Sequence, residues 1–504
     1  MARTVVLQDR FDRGMVRDLP IDQLPKGAVW DMIDMLPSGK AGIANRSPWT
    51  RHSATVSGTY CAALAYAPFA AGAQIVAINS SGACKQVSVT ASTVTARGTA
   101  QVPFQPPVFY REKVYIPSDN GTTVVKSYAG SSDAITATGS PPAGMFCTTY
   151  KDHLVLARDA TNYTRVWFSN GGDAGVWDTA ADGQWLNTTR VITGLATLNQ
   201  MILVFSEEGV ERIRGDIIPG VAGSDMIVEP AFNIGCAEAS TVAVDGDIVV
   251  YANSNGVWLT DGIARPVDLT AECGMKTFWR DHFGGTYSPT FSLTGGIYQG
   301  HYIVSSNDNG TFHRSLCFDI RGRRAWRFTN INAAMMAAAP TTSDARSGDL
   351  FFGERDNPNV SRLGSMWFTE GYGFSQAGGS ATDGNGTKPA PSFTTGYLRG
   401  RPGTKRWRRI YLTYVLEDDV SASAMSLVVY HDPTIDGLAG GASFALAETG
   451  GGGASASLRR PLTLDANNVP SDGIAVKLSL NGAAPTDFRV FLIEAEVRER
   501  EQSR

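Results

Sequence analysis

The residue types best suited to chemistry are scattered along this chain. Six histidines (His52, His153, His282, His301, His313 and His431) form no HExxH pair, so no helical turn brings two imidazoles to one metal. Six cysteines (Cys61, Cys84, Cys147, Cys236, Cys273 and Cys317) never approach CxxC spacing, the tightest pair being 23 residues apart. With apolar or small neighbours, as in Met145-Phe146-Cys147, they read as reduced core thiols and not as zinc ligands or disulfides. No GxSxG elbow supplies an activated serine, and Gly39-Lys40 is followed by Ala41 where a phosphate loop needs Ser or Thr. The segment from Ser305 to Gly310 has the composition of a calcium loop, but Leu316 stands where the bidentate Glu belongs. The run from Ser306 to Phe312 is similar to the Asp-box of sialidase-type propellers, one residue short between its Gly and Thr. A glycosidase would also need a paired set of carboxylates. The expectation is no catalytic residue, no metal and no cofactor.

Two basic clusters remain. Arg321-Gly322-Arg323-Arg324 reads as a solvated hairpin tip. Lys405-Arg406-Trp407-Arg408-Arg409 sets a tryptophan between cations, which can stack on or clamp an acidic neighbour, although a solvated strand entry has the same composition. These five are candidate partner-interface residues. The aromatic pairs Trp177/Trp185 and Phe278/Trp279 could serve as stacking platforms for a glycan, or equally as core.

The elements that must carry these residues are strands. The chain has 504 residues, 43% hydrophobic and 10% aromatic, which is enough apolar surface for a large core and excludes global disorder. Its 44 Lys and Arg against 48 Asp and Glu give a net charge of −4, which excludes a nucleic-acid binder held by a basic face. No apolar run reaches the length of a membrane span, and the first residues lack the apolar core of a secretory signal. Synthesis in a cytoplasm is expected.

Helical periodicity is almost absent. Short alternating runs flank Gly, Asn or Asp turns, as in Met201–Ser206, Glu208-Gly209, Val210–Arg214, and again in Asp247–Ala252, Asn255-Gly256, Val257–Thr260. The unit recurs roughly every 40 to 50 residues, the interval of four-stranded propeller blades. Blades are expected to begin near Tyr60, Gln101, Cys147, Gly194, Cys236, Thr286 and Ala333. The fold class expected is all-β, a β-propeller of about seven blades over 56–370. Residues 1–55, spaced by prolines, read as an extended N-terminal arm with little core of its own. Residues 371–392 are Gly/Ser-rich and read as a linker. Four strong strands within 393–504 predict a C-terminal antiparallel β-sandwich, interrupted by a flexible Gly/Ala loop near 437–457 and ending in a solvated tail.

The order of these features resembles the β-propeller tail proteins of tailed bacteriophages, the nozzle or tail-tube group of short-tailed phages. The likeness lies in Phe11-Asp12-Arg13-Gly14, Leu24-Pro25, Asp34 and Arg46 of the arm, where the usual R-x-G ending is replaced by Arg46-Ser47-Pro48. It continues in Arg165–Ser169 with Val176-Trp177, in Gly194-Leu195 through Gly215, and in Gly235-Cys236 through Trp258. The resemblance implies a structural virion protein and no enzyme. It implies a homohexameric ring below the portal and adaptor, made in the bacterial host cytoplasm and residing in the virion tail. DNA would pass through that ring without specific binding, and Arg46 joins the candidate partner-interface residues. The rival readings are a receptor- or glycan-binding tail-tip propeller and a propeller glycosidase.

Overall fold

The computed structural model describes residues 2–363 apart from brief stretches, the longest being 284–290, 309–313 and 340–348. From 391 onward it describes the strands of the C-terminal part and their nearest flanks. The expected linker, the Gly after the Asp-box carboxylates, most of 437–457 and the terminal tail lie outside the described residues; within 437–457, Gly437–Leu438 and Ala442–Ala445 are short strands.

Alternation and tight turns produce a succession of antiparallel meanders. Blade 1 runs Cys61–Phe69, Gly72–Asn79, Ala83–Ser88, Val94–Thr99, and blade 2 runs Val108–Tyr110, Lys113–Ile116, Lys126–Tyr128, Ile135–Thr136. Blade 3 opens at Phe146–Tyr150, blade 4 at Gly194–Leu198, blade 5 at Ala243–Asp245, blade 6 at Phe291–Tyr298 and blade 7 at Ala333–Ala338. The opening strand of each blade touches that of the next, and blade 7 returns to blade 1, so the opening strands line an axis. Each blade alone would expose an apolar sheet face, and its neighbours cover it. Between blades 1 and 2, for example, Phe69 packs edge-on against Phe109 and Tyr128, with ring centroids 5.2 and 5.6 Å apart. The fold is an all-β propeller. Six blades are separate sheets, one fewer than the count expected, and the remaining repeat, blade 6, is drawn into a sheet of eleven strands.

The arm departs most from expectation. Among the described residues blade 7 supplies three strands from its own stretch; a fourth is Thr50–Arg51, paired with Val360–Leu363 and tied by Arg51 to Glu354 at 3.2 Å. Ala28–Ile33 lies between the outer strand of blade 6, Arg324–Phe328, and Ser392–Thr395 of the C-terminal part. Gly14, with φ +68°, passes so close to Ala325 that an added Cβ would sit 2.9 Å from its carbonyl oxygen. The Asp18 carboxylate accepts N–H bonds from Lys276 (2.9 Å) and Thr277 (2.7 Å), capping the short helix Lys276–His282. Phe11, Met15, Val29, Met32, Met35, Ile43 and Trp49 are buried. The described strands of 1–55 therefore contribute to the core instead of forming an extended cover, because they find partners some 300 positions away that no local pattern encodes.

The sandwich is likewise shared between the two ends of the chain. One sheet joins Ala2–Gln8, Met35–Ser38 and Gly42–Asn45 to Lys405–Leu416, Leu458–Thr463 and Phe488–Glu499. The other continues from Ala28–Ile33 through Ser392–Thr395 to Gly473–Leu480, Met425–Tyr430 and Ala442–Ala445. Alternate residues face inward, Ile410, Leu412 and Tyr414 from one sheet and Ile474, Val476 and Leu478 from the other. They share one apolar cluster with Phe11 and Met32 of the arm and Tyr302 and Trp326 of blade 6. Among the described residues no helix is long and apolar enough to cross a membrane.

Candidate functional site

The strands that open the blades leave one edge of backbone N–H and C=O groups facing the axis, and those groups need partners. The segment Gln101-Val102-Pro103-Phe104-Gln105-Pro106-Pro107, linking blades 1 and 2, supplies them. Its three prolines cannot donate, so the side-chain amides act instead. Gln105 Nε2 donates to the carbonyls of Cys147 (3.1 Å) on blade 3 and Leu195 (3.0 Å) on blade 4, while its Oε1 accepts from Leu195 N–H at 3.4 Å. Gln101 Nε2 donates to the Val124 carbonyl at 2.9 Å. Both glutamines are buried. The axial edge is thus occupied by protein where this segment crosses it.

A second segment, from Asn233 to Val242 between blades 4 and 5, meets the same end of the axis. Ser240 Oγ donates to the Leu293 carbonyl at 2.6 Å and Thr294 Oγ1 donates to the Ser240 carbonyl at 3.3 Å, so this linker grips blade 6. Within it Glu238 lies in the field of Arg355, on the turn that leaves the second strand of blade 7. Burial raises the Glu238 carboxyl to about 7, with Arg355 pulling the opposite way. Neither Gln105 nor Glu238 was singled out by sequence; a proline-rich linker bearing two glutamines was the available signal for the first.

At the opposite end, the hairpins joining first to second and third to fourth strands form a second face. A cleft of about 560 Å³ opens there between blades 5 and 6, lined by Asp245, Asp247, Gln299, His301, Asp319 and Arg321 among others. Asp319 is consumed structurally: it accepts the N–H groups of Arg321 (3.1 Å) and Gly322 (2.7 Å) and pairs with Arg324. These bonds outweigh burial and hold its pKa below the usual carboxylate range. Burial lowers the His301 pKa, so the imidazole is neutral near pH 7.

The residues singled out as partner contacts fall elsewhere. Arg46 has no exposed surface: its Nε donates to Asp34 Oδ1 at 2.6 Å and its Nη2 to the Thr329 carbonyl at 2.9 Å. It locks the arm to blade 6 and offers no surface to another chain. Trp407 is buried in the sandwich core, while Arg409 on the same strand is exposed. Two residues apart on a regular strand, these side chains would share a face; a β-bulge between them, where Trp407 pairs with Val497 and Arg409 with Glu496, turns one inward and the other outward. Lys405, Arg406 and Arg408 occupy that strand too, and their side chains lie outside the described residues. Phe278 and Trp279 are buried and so form no platform. Trp185 is half-buried beneath Arg165, whose guanidinium sits 3.8 Å from the ring centroid. All six cysteines are free and buried, and desolvation raises every thiol, Cys84, Cys147, Cys236 and Cys273 to about 12. Among the described residues no group of three or more His, Cys, Asp or Glu could hold a metal ion.

No family model matches this sequence, and no curated protein sequence matches it. Among solved structures, the chain is similar to the WD40 repeats of RRP9, with 12% identity, a TM-score of 0.42, and coverage of 64% of this chain and 99% of that one. It is also similar to a chain of the mitotic checkpoint complex, with 10% identity, a TM-score of 0.39, and coverage of 64% and 94%.

Proposed function

We propose that this chain is a structural subunit of a bacteriophage tail, built into a homohexameric nozzle or tail-tube ring below the portal and adaptor. The observation that supports this reading best is mechanical. One hydrophobic core and one eleven-stranded sheet run from a propeller blade through the N-terminal arm into the sandwich, joining two modules into a rigid block. A ring subunit that must hold its shape while DNA is driven past it needs that continuity, whereas modules on a hinge would yield. The Gln105 segment bonds to the axis-facing opening strands of blades 3 and 4, so in this reading the DNA path is the lumen enclosed by neighbouring subunits and not the axis of one propeller. A charge-poor, slightly acidic chain suits such a lumen, since each Lys or Arg that contacts phosphate adds counterion-release affinity and slows sliding. Ring contacts would be heterologous and closed by rotation. They fall to surfaces other than the arm, whose strands are already paired within the chain. The role is non-catalytic and located in the virion. Quantitative mass spectrometry of purified particles carrying this sequence should find six copies per virion, and particles that lack the chain yet eject DNA normally would overturn the reading.

A further inference from the structure

Eleven large hydrophobic side chains are exposed among the described residues, and eight of them lie between residues 163 and 263. Five of the eight, Ile217, Val221, Ile227, Val244 and Ile263, sit on or beside the hairpin face of blades 4 and 5. Ile263, at the tip of a turn, is 69% exposed. Isolated exposed apolar residues are ordinary, but a concentration on one face of one sector marks a contact surface.

The same sector is where the negative charge gathers. Residues 146–268 hold seven Lys or Arg against sixteen Asp or Glu, a net charge of −9, so the remainder of a chain of net −4 carries +5. Asp216, Asp225, Asp245, Asp247 and Asp261 are exposed on the hairpins that carry the apolar residues. The Asp225 carboxylate accepts N–H bonds from Asp216 and Ile217, both at 2.7 Å, and Asp261 accepts from Ile263 and Ala264, both at 2.8 Å. Those bonds lower both carboxyl pKa values and keep the groups ionised. The cleft between blades 5 and 6 opens on this face with Asp245 and Asp247 at its wall.

We propose that the hairpin face of blades 4 and 5, together with the adjoining cleft, docks a partner polypeptide that presents aliphatic side chains flanked by lysine or arginine. The aliphatic groups cover Ile217, Val221 and Ile263, and a basic side chain enters the cleft toward Asp245 and Asp247. Charge complementarity selects this occupant: an acidic partner would meet the densest negative sector of the molecule.

The test uses the full chain and two labelled peptides, one alternating leucine with lysine and one alternating leucine with glutamate, read by fluorescence anisotropy. The lysine peptide should bind and the glutamate peptide should not. Binding should weaken about tenfold in Asp245→Lys/Asp247→Lys and in Ile217→Ser/Ile263→Ser, and should fall as salt screens the charges. All four substitutions are at exposed positions, and unchanged thermal melts establish that the variants are folded. Equal binding of both peptides, or wild-type binding by both folded double variants, overturns the proposal. Reversible self-association that Ile263→Ser abolishes in sedimentation velocity also overturns it, by giving the face to a second copy. Virion stoichiometry is a separate measurement, so failure here and failure of the tail reading are distinguishable.

Discussion

Replacing Arg46 with methionine would leave the Asp34 carboxylate in a site without solvent and without its charged partner. Among the described residues Asp34 would keep the Thr329 backbone N–H, at 2.9 Å, and the Thr329 hydroxyl as partners. Removing one member of a buried pair destabilises by about 3–5 kcal/mol, because the remaining charge is uncompensated. The two Thr329 bonds place Arg46→Met toward the lower end, at about 3 kcal/mol. The double variant Arg46→Met/Asp34→Asn removes both charges, and asparagine tolerates the positive φ of 53° at that position. It should therefore recover most of the loss, to within about 1 kcal/mol of the wild type. Urea unfolding of the isolated chain, followed by tryptophan fluorescence, reads all three proteins, with Trp49 and Trp326 near the affected junction as reporters. A partner-interface role for Arg46 makes the opposite forecast: full stability of the isolated chain and a defect only on assembly. A loss below about 1 kcal/mol for the single variant, or a double variant no better than it, would refute the burial argument.

Three further outcomes follow from the site geometry. The raised Glu238 carboxyl is protonated in the folded chain at a pH where the unfolded chain, near the ordinary value of 4.5, has lost its proton. Stability should therefore fall as pH rises from about 4.5 to about 7, and Glu238→Gln should abolish that fall and be more stable above pH 7, by about 2 kcal/mol after allowance for partial solvent access. Gln105→Ala leaves the Leu195 and Cys147 backbone groups unpaired at the axis and should lower stability by about 1–3 kcal/mol in chemical unfolding; an unchanged midpoint would mean that water replaces the amide without loss. All six thiols should resist a thiol-titrating reagent in the native protein and react together on unfolding, and rapid modification of any one would contradict its burial.

The propeller was legible because its evidence is local. Blades were expected to begin near Tyr60, Cys147, Gly194 and Ala333, and the opening strands begin at Cys61, Phe146, Gly194 and Ala333. Where a long linker precedes a blade the expectation ran early, Gln101 against Val108 and Cys236 against Ala243, since the linker side chains bond to the axial edge instead of pairing in a sheet. The arm was illegible for the converse reason. Ile33 pairs beside Arg327 and Thr50 beside Arg362, and nothing within a short window reports a partner so distant. Arg46 illustrates the same limit, because an arginine amid polar neighbours reads as surface until Asp34 and Thr329 are seen around it. The basic run at Lys405 reads from sequence as either a strand entry or a partner contact, and the bulge that turns Trp407 inward and Arg409 outward arises from pairing with Phe488–Glu499, which composition does not report.

Native-state hydrogen exchange over Ala28–Ile33 tests most directly whether the arm joins the propeller to the sandwich. Amides there should exchange as slowly as those of His301–Asp308 within blade 6, because both strands are interior to the eleven-stranded sheet. Exchange on the timescale of an unpaired loop, with blade 6 still protected, would show that the two modules are separately folded and would contradict the rigid block on which the proposed role depends.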